Sequence, residues 1–296
     1  MAILSSWGCF AAEKEVPHDI VQKYQQLTRT VPILADTLPL YLTTIQDSKV
    51  LNVNLYGRIP FAFSEVSTVL AKPESYCDFL PLMFNVKGCV ITRAHPDTQI
   101  KYFVAGKYYT APVASIRIQS RFRVVDKRND FLKVMMEAAD DTNGTSRYHV
   151  LLKVVPIENE TLISIESVYA PGRLTRMATY TYIKMFARDK PGFTRVTISG
   201  DGTQQYITGF PAIIERSIVR SYFALKAHLL NQNAAVAVRH EARLQSWYDL
   251  NLPHKLQLYE LDREEYLQIK RRERLNQLKM QKKINQSAAV KVGKVN

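Results

Sequence analysis

Few side chains in this sequence carry reactive chemistry, and their spacing limits what they could do. Cys77 and Cys89 flank the stretch ESYCDFLPLMFNVKGC, a block of large apolar residues with a proline inside it. Three uses fit such a pair: a disulfide, a metal or redox pair, or two buried thiols. Zinc needs four ligands, and no histidine or second cysteine pair stands at ligand spacing. The redox C-x-x-C spacing is absent as well. In an oxidising compartment the pair is most simply a disulfide, closing a loop for about 3 kcal/mol in the chain-entropy model. In the cytoplasm two buried free thiols fit better. The six histidines, His18, His95, His149, His228, His240 and His254, are scattered and form no Ser-His-Asp or metal-like cluster. His149 lies beside Tyr148 on an expected strand, and Glu137 and Glu166 lie on two others. These three are the candidate proton-transfer groups. A lone strand histidine is more commonly a surface or core residue, so catalysis is the second reading. No metal and no cofactor is expected.

Such groups act only where strands and helices hold them, and the hydrophobic pattern lays those elements out. Residues 17–45 read as one or two short helices broken at Pro32 and Pro39. KVLNVNLYGRIPF alternates as a strand, and SEVSTVLAKPESYCDFL reads as a helix pair interrupted at Pro73. GCVITRA, QIKYFVAGKYY, ASIRIQSRFRVVD, DFLKVMMEAAD, RYHVLLKVVPI and TLISIESVYA follow, parted by short turns, and predict an antiparallel meander. In ASIRIQSRFRVV, Ile116, Ile118, Phe122 and Val124 share one face, and Arg117, Gln119, Arg121 and Arg123 share the other. One face is buried and one is wet. Residues 173–188 read as a buried or lid-like helix, FTRVTIS and TQQYITG as short strands, and SGDGT as the turn between them. FPAIIERSIVRSYFALKAHLL is the clearest helix, with a stripe of Ile214, Ile218, Tyr222, Leu225 and Leu229. Glu215 and Arg216 are expected on its wet side or at a cavity mouth. Beyond Asn231 the sequence stays helical, and Asp262 with Glu265 forms a capping box opening a helix whose apolar stripe is thin.

With 296 residues, 46% of them apolar, the chain can bury a real core. Its 40 Lys+Arg against 27 Asp+Glu give +13, which favours anionic partners. Ten Lys/Arg and four Asp/Glu fall between Asp262 and Asn296. This basic C-terminal segment would be drawn to an anionic membrane surface, and no nucleic-acid motif accompanies it. MAILSSWGCFAA, residues 1–12, looks like the end of a secretory signal, although it lacks a basic n-region and Trp7 makes Cys9 a poor lipoprotein acceptor. The bacterial periplasm or export is therefore expected, with the cytoplasm as the alternative.

The element order resembles the helix-grip fold of the START-like superfamily, also called Bet v 1-like or SRPBCC. FSEVSTVLAKPESYCDFLPLMFNVKGCVI is similar to the opening of coenzyme-Q-binding and polyketide-cyclase-like members. RDKPGFTRV and GFPAIIERSIVRSYFALKAHL are similar to the later part of uncharacterised bacterial START-like proteins. The resemblance implies an α+β fold in which a curved antiparallel sheet wraps a long helix. It divides the chain into a leader (1–12), an N-terminal helical extension (13–48), a ligand-binding domain (49–230) and a basic helical extension (231–296). It further implies a cavity for a hydrophobic small molecule, lipid- or quinone-like, that is bound and not converted. A cyclase- or hydrolase-like enzyme using the same cavity is the alternative. Candidate walls are Ile116, Ile118, Phe122, Tyr148, Val150, Ile163 and Ile165 from strands, and Ile214, Ile218, Tyr222 and Leu225 from the helix. In this fold a Cys77–Cys89 bond would staple the helix pair to the sheet edge.

Overall fold

Alternation in LNVNLYGRI sets the first face of the sheet: in β2 (Leu51–Ile59), Leu51, Val53, Leu55 and Ile59 are buried while the residues between them are partly exposed. A computed structural model of the protein describes residues 17–30, 40–47, 50–94, 97–138, 147–170, 190–197 and 204–292. The leader with Cys9, the helix expected at 173–188 and the SGDGT turn lie outside the described residues.

Before β2 come α1 (Pro17–Thr30) and β1 (Leu40–Gln46). Residues 40–46 are thus strand, not the helix the prolines suggest. Thr43, Thr44 and Ile45 are β-branched, which favours a pleated surface, and Leu40 to Gln46 pair antiparallel with Gly57 to Leu51. After β2 the chain forms α2 (Phe63–Leu70) and α3 (Pro73–Phe79), then β3 (Val86–Ala94), β4 (Asp97–Val104), β5 (Ile116–Lys127), β6 (Leu132–Ala138), β7 (Arg147–Ile157) and β8 (Glu160–Ala170). These strands and β1 make one eight-stranded antiparallel sheet in the order β1-β2-β8-β7-β6-β5-β4-β3. A two-stranded ribbon, β9 (Arg195–Thr197) with β10 (Gln204–Tyr206), precedes α4 (Gly209–Leu230).

The apolar stripe of α4 lies on one face of the sheet, where Tyr222 donates to the Arg58 carbonyl (2.5 Å). Gly57 stands under this contact, and a side chain there would collide with Leu40 and Tyr222. On the opposite face α1 lays Ile20, Tyr24 and Leu27 against Tyr41, Phe131, Val155 and Leu162. The sheet is therefore covered by helices on both faces, although only α4 spans the main core.

The chain beyond Asn231 packs on the same core. From α5 (Val236–Asn251), Leu244, Trp247 and Tyr248 are buried, and the short helix α6 (Lys255–Leu258) and α7 (Arg263–Val292) add Leu258, Tyr266 and Leu267. Asp262 caps α7 as its spacing predicts, accepting from the Glu265 amide (2.9 Å). The thin apolar stripe of α7 conceals a polar one. Tyr266 donates to the Leu82 carbonyl (2.9 Å), Lys270 to Val86 (2.8 Å) and Gln277 to Cys77 (2.8 Å). Gln281 donates to the Ile91 carbonyl (3.1 Å) and accepts from the Ile91 amide (2.8 Å). Four helical residues rise about 6 Å and two strand residues about 6.7 Å, so Gln277 and Gln281 keep step with Cys89 and Ile91. The helix thereby satisfies the open edge of β3, which would otherwise present unpaired amides and carbonyls.

Cys77, in α3, and Cys89, in β3, form a disulfide. Both are buried, and it joins the helix pair to the last strand of the sheet. The segment it closes is also the platform for α7, because Leu82, Val86 and both cysteines carry the contacts just described. Beside it Glu273 pairs with Lys270 (2.6 Å) and Lys87 (3.0 Å), all three side chains at most 3% exposed. Burial and the nearby Lys270 push the Lys87 ammonium down to about 8.

Candidate functional site

Strand alternation sends every second residue of β4, β5, β7 and β8 toward α4, and these inward residues change character along the strands. Near α2 and α3 the core is closed: Ile100, Val134, Val154 and Ile163 have no exposed surface. Phe122 packs edge-on against Tyr76 of α3 (5.3 Å). Toward the other end the seal opens. Along β5 the same face runs from exposed Val124 (39%), not buried as the alternation suggests, through Phe122 (8%), Ser120 (1%) and half-buried Ile118 to Ile116 (60%). Tyr102, Tyr148, Val150 and Tyr169 at this end are only partly buried, and so are Phe210 and Ile214 of α4. The Tyr169 ring lies 4.7 Å from Phe210 and 6.3 Å from Tyr148. A patch of partly buried apolar side chains and tyrosines thus lies between the sheet and the first turns of α4.

Its polar groups are hydroxyls. Tyr102 donates to Ser120 (2.7 Å), and Tyr148 is hydrogen-bonded to Ser167. Burial raises both phenols above their ordinary range. They remain protonated at neutral pH and act as neutral donors and acceptors, not as bases. No group of three or more His, Cys, Asp or Glu that could hold a metal occurs among the described residues.

The residues named from the sequence divide by depth. Ile163, Ile165, Ile218, Tyr222 and Leu225 sit in the closed core, Phe122 stands at its boundary, and Ile118, Tyr148, Val150 and Ile214 are only partly buried. Ile116 is at the lip. His149, Glu137 and Glu166 are on the other face of the sheet, because each is one residue out of step with the inward set. Glu137 is the cross-strand neighbour of His149 and pairs with Arg123 (2.5 Å), and Glu166 accepts from Asn52 (3.2 Å). Tyr102, Ser120, Ser167, Tyr169 and Phe210 carry no sequence signal that singles them out. Alternation assigns the strand members to a face, but only register shows that they meet.

Glu215 and Arg216 are not on a wet face: they are 0% and 4% exposed. The Glu215 carboxylate accepts from Thr44 (2.5 Å) and from the amides of Phe193 (2.6 Å) and Thr194 (3.0 Å). Arg216 donates to the carbonyls of Lys190 and Pro191. Together they bind residues 190–194 to the start of α4. Gly192 permits the approach, since a side chain there would strike Glu215 and Ile207.

The antiparallel order β2-β8-β7-β6-β5-β4-β3, the helix pair between β2 and β3, and α4 across the inner face define a helix-grip, START/Bet v 1-like fold, to which β1, α1 and α5–α7 are added. Among solved structures, a STAR-related lipid transfer protein fragment from Xanthomonas axonopodis matches at 14% identity, covering 66% of this chain and 95% of its own, with a TM-score of 0.39. Ginseng major latex-like protein 151 from Panax ginseng matches at 7% identity over 62% and 99%, TM-score 0.38. Truncated norcoclaurine synthase from Thalictrum flavum matches at 16% over 48% and 84%, TM-score 0.32. At such values no ligand or residue role passes from them to this chain. No family model matches, and no curated protein does.

Proposed function

We propose that the protein binds a hydrophobic small molecule, lipid- or quinone-like, in a crevice between the sheet and α4 and does not convert it. The observation that carries this is the opening of one inward face from sealed Ser120 and Phe122 to exposed Ile116, alongside half-buried Ile118, Val150 and Ile214. Apolar and aromatic side chains left half open in one place, with a few hydroxyls among them, suit a ligand better than they suit a finished core. Tyr102 and Tyr148 would orient a ligand oxygen. The enzyme reading gains no such support, since His149, Glu137 and Glu166 face away. The Cys77–Cys89 bond supports an oxidising, exported compartment. An anionic membrane is the source we assign to the ligand, reached through the basic residues of α7. No helix among the described residues is long and apolar enough to cross one.

Organic extraction of natively purified protein, with mass spectrometry of the extract, tests the reading. A stoichiometric hydrophobic compound is expected, and it should be absent from an Ile118→Trp variant whose new ring fills the crevice. An empty extract, together with no saturable uptake of a fluorescent fatty acid, would sink the proposal.

A further inference from the structure

A basic cluster lies on the side of α4 that turns away from the sheet. Arg216 and Arg220 of α4, Lys190 and Lys107 gather there around Glu260. Arg220 pairs with the Glu260 carboxylate (2.8 Å), and Lys190 stands 4.0 Å from the same oxygen. Lys107, from the loop between β4 and β5, donates to the Glu260 carbonyl (3.1 Å). Arg216 holds the Pro191 carbonyl (3.2 Å), which fixes Lys190 beside it. The other carboxylate close by among the described residues, Glu215, is already occupied by Thr44, Phe193 and Thr194.

Among the described residues, four cations therefore share one available carboxylate. Arg216 and Arg220 are 4% and 8% exposed, and each keeps a buried Nε–H with no acceptor. Such a donor is costly to leave empty, and two neighbouring guanidiniums leave two of them at one place. Burial and the adjacent Arg220 push Arg216 down to about 10, as expected of crowded positive charge. The Lys190 and Glu260 side chains, 28% and 19% exposed, leave a way in from solvent.

We propose that this cluster binds an anion of the phosphate class, with several oxygens to take the free guanidinium and ammonium donors. The anion is either free phosphate or the phosphate headgroup of an amphiphile; only the second source rests on the lipid reading above. Titration with inorganic phosphate at constant ionic strength, followed by calorimetry and melting, is the test. Saturable binding with a raised Tm, beyond that of matched chloride, is expected. Lys190→Ala should weaken it about tenfold, the loss of one charge-assisted contact. Glu260→Gln should strengthen it by removing the competing carboxylate. Both variants are to be checked for an unchanged melting profile in chloride, and Lys107→Ala serves where either fails. Phosphate acting no better than chloride would overturn the site, as would variants that bind like the parent. A short-chain phosphatidate that binds more tightly than phosphate, and is weakened likewise by Lys190→Ala, identifies a lipid headgroup. Equal affinity of the two identifies the free anion.

Discussion

Replacing Gln277 by alanine should destabilise the protein far more than the loss of an exposed helix residue. Gln277 is 4% exposed and ties three elements together, donating to the Cys77 carbonyl of α3 (2.8 Å) and accepting from the Cys89 amide of β3 (3.3 Å). Without it both backbone groups are left behind α7 with no partner. A buried unsatisfied group costs about 1–3 kcal/mol, the longer contact falling at the low end. The pair should therefore cost about 3 kcal/mol together. Urea unfolding read by tryptophan fluorescence should report it, since Trp247 is buried in the same core. The m-value should be unchanged, and the melting temperature should fall by about 5 °C at this chain length. Gln268→Ala is the control, because Gln268 bonds Glu264 on the exposed side of α7 and its loss should cost under about 0.5 kcal/mol. If Gln277→Ala and Gln268→Ala unfold alike, the assignment of α7 as a polar clamp on β3 is wrong.

Acid should weaken the fold before its carboxylates titrate. Burial, then Arg243, holds His228 down at about 4, with Asp78 opposing and Arg239 adding; burial, then Arg274 and Arg243, does the same to His240, with Asp78 opposing and Lys270 adding. In the unfolded chain each binds a proton near 6.5, so the unfolded state holds more protons between pH 6.5 and 4. Stability is then full above pH 6.5 and lost progressively as pH falls toward 4, and a flat urea midpoint across this window would contradict the burial of both rings. The Lys87–Glu273–Lys270 triad makes an asymmetric prediction. Glu273→Gln strands two buried ammonium ions and should cost about 3–5 kcal/mol, whereas Lys87→Met leaves the Glu273–Lys270 pair intact, frees the Phe84 carbonyl (2.8 Å) and should cost about 1–2 kcal/mol. Equal losses in chemical denaturation would refute that assignment. Cys77→Ser with Cys89→Ser should lower stability by about 3 kcal/mol, measured against the parent under non-reducing conditions.

How far the sequence discloses this molecule depends on whether a feature is periodic. Leu51, Val53 and Leu55 alternate, Ile214, Ile218, Tyr222 and Leu225 repeat at helical spacing, and both faces are legible in the pattern itself. The strand at Leu40–Gln46 is hidden because two prolines suggest helix ends, while its pairing with β2 is a tertiary fact. The seat of α7 is hidden for another reason. Tyr266, Lys270, Glu273, Gln277 and Gln281 form a regular helical stripe, yet they are mostly polar, and hydrophobic periodicity does not register them. The partly buried patch is the least legible feature: alternation says that Tyr102 and Tyr148 point inward, but not that they stay partly exposed beside the start of α4. Glu215 and Arg216 read as exposed because charged residues are seldom fully buried, and their partners lie far off in sequence, at Thr44 and in the loop at 190–194.

The clamp on β3 also bears on how the chain is made. Gln277 and Gln281 follow the backbone groups they satisfy by 188 and 190 residues, so at ribosomal rates of about 5–20 residues per second the edge of β3 waits about 10–40 s for its cover. During that interval the nascent sheet offers an apolar, unpaired edge to any neighbouring chain. The disulfide needs no such wait, since both of its cysteines emerge within a dozen residues of each other. On reaching an oxidising compartment the helix pair and β3 can therefore be locked by a local bond, whereas cover for the β3 edge depends on residues made nearly two hundred positions later.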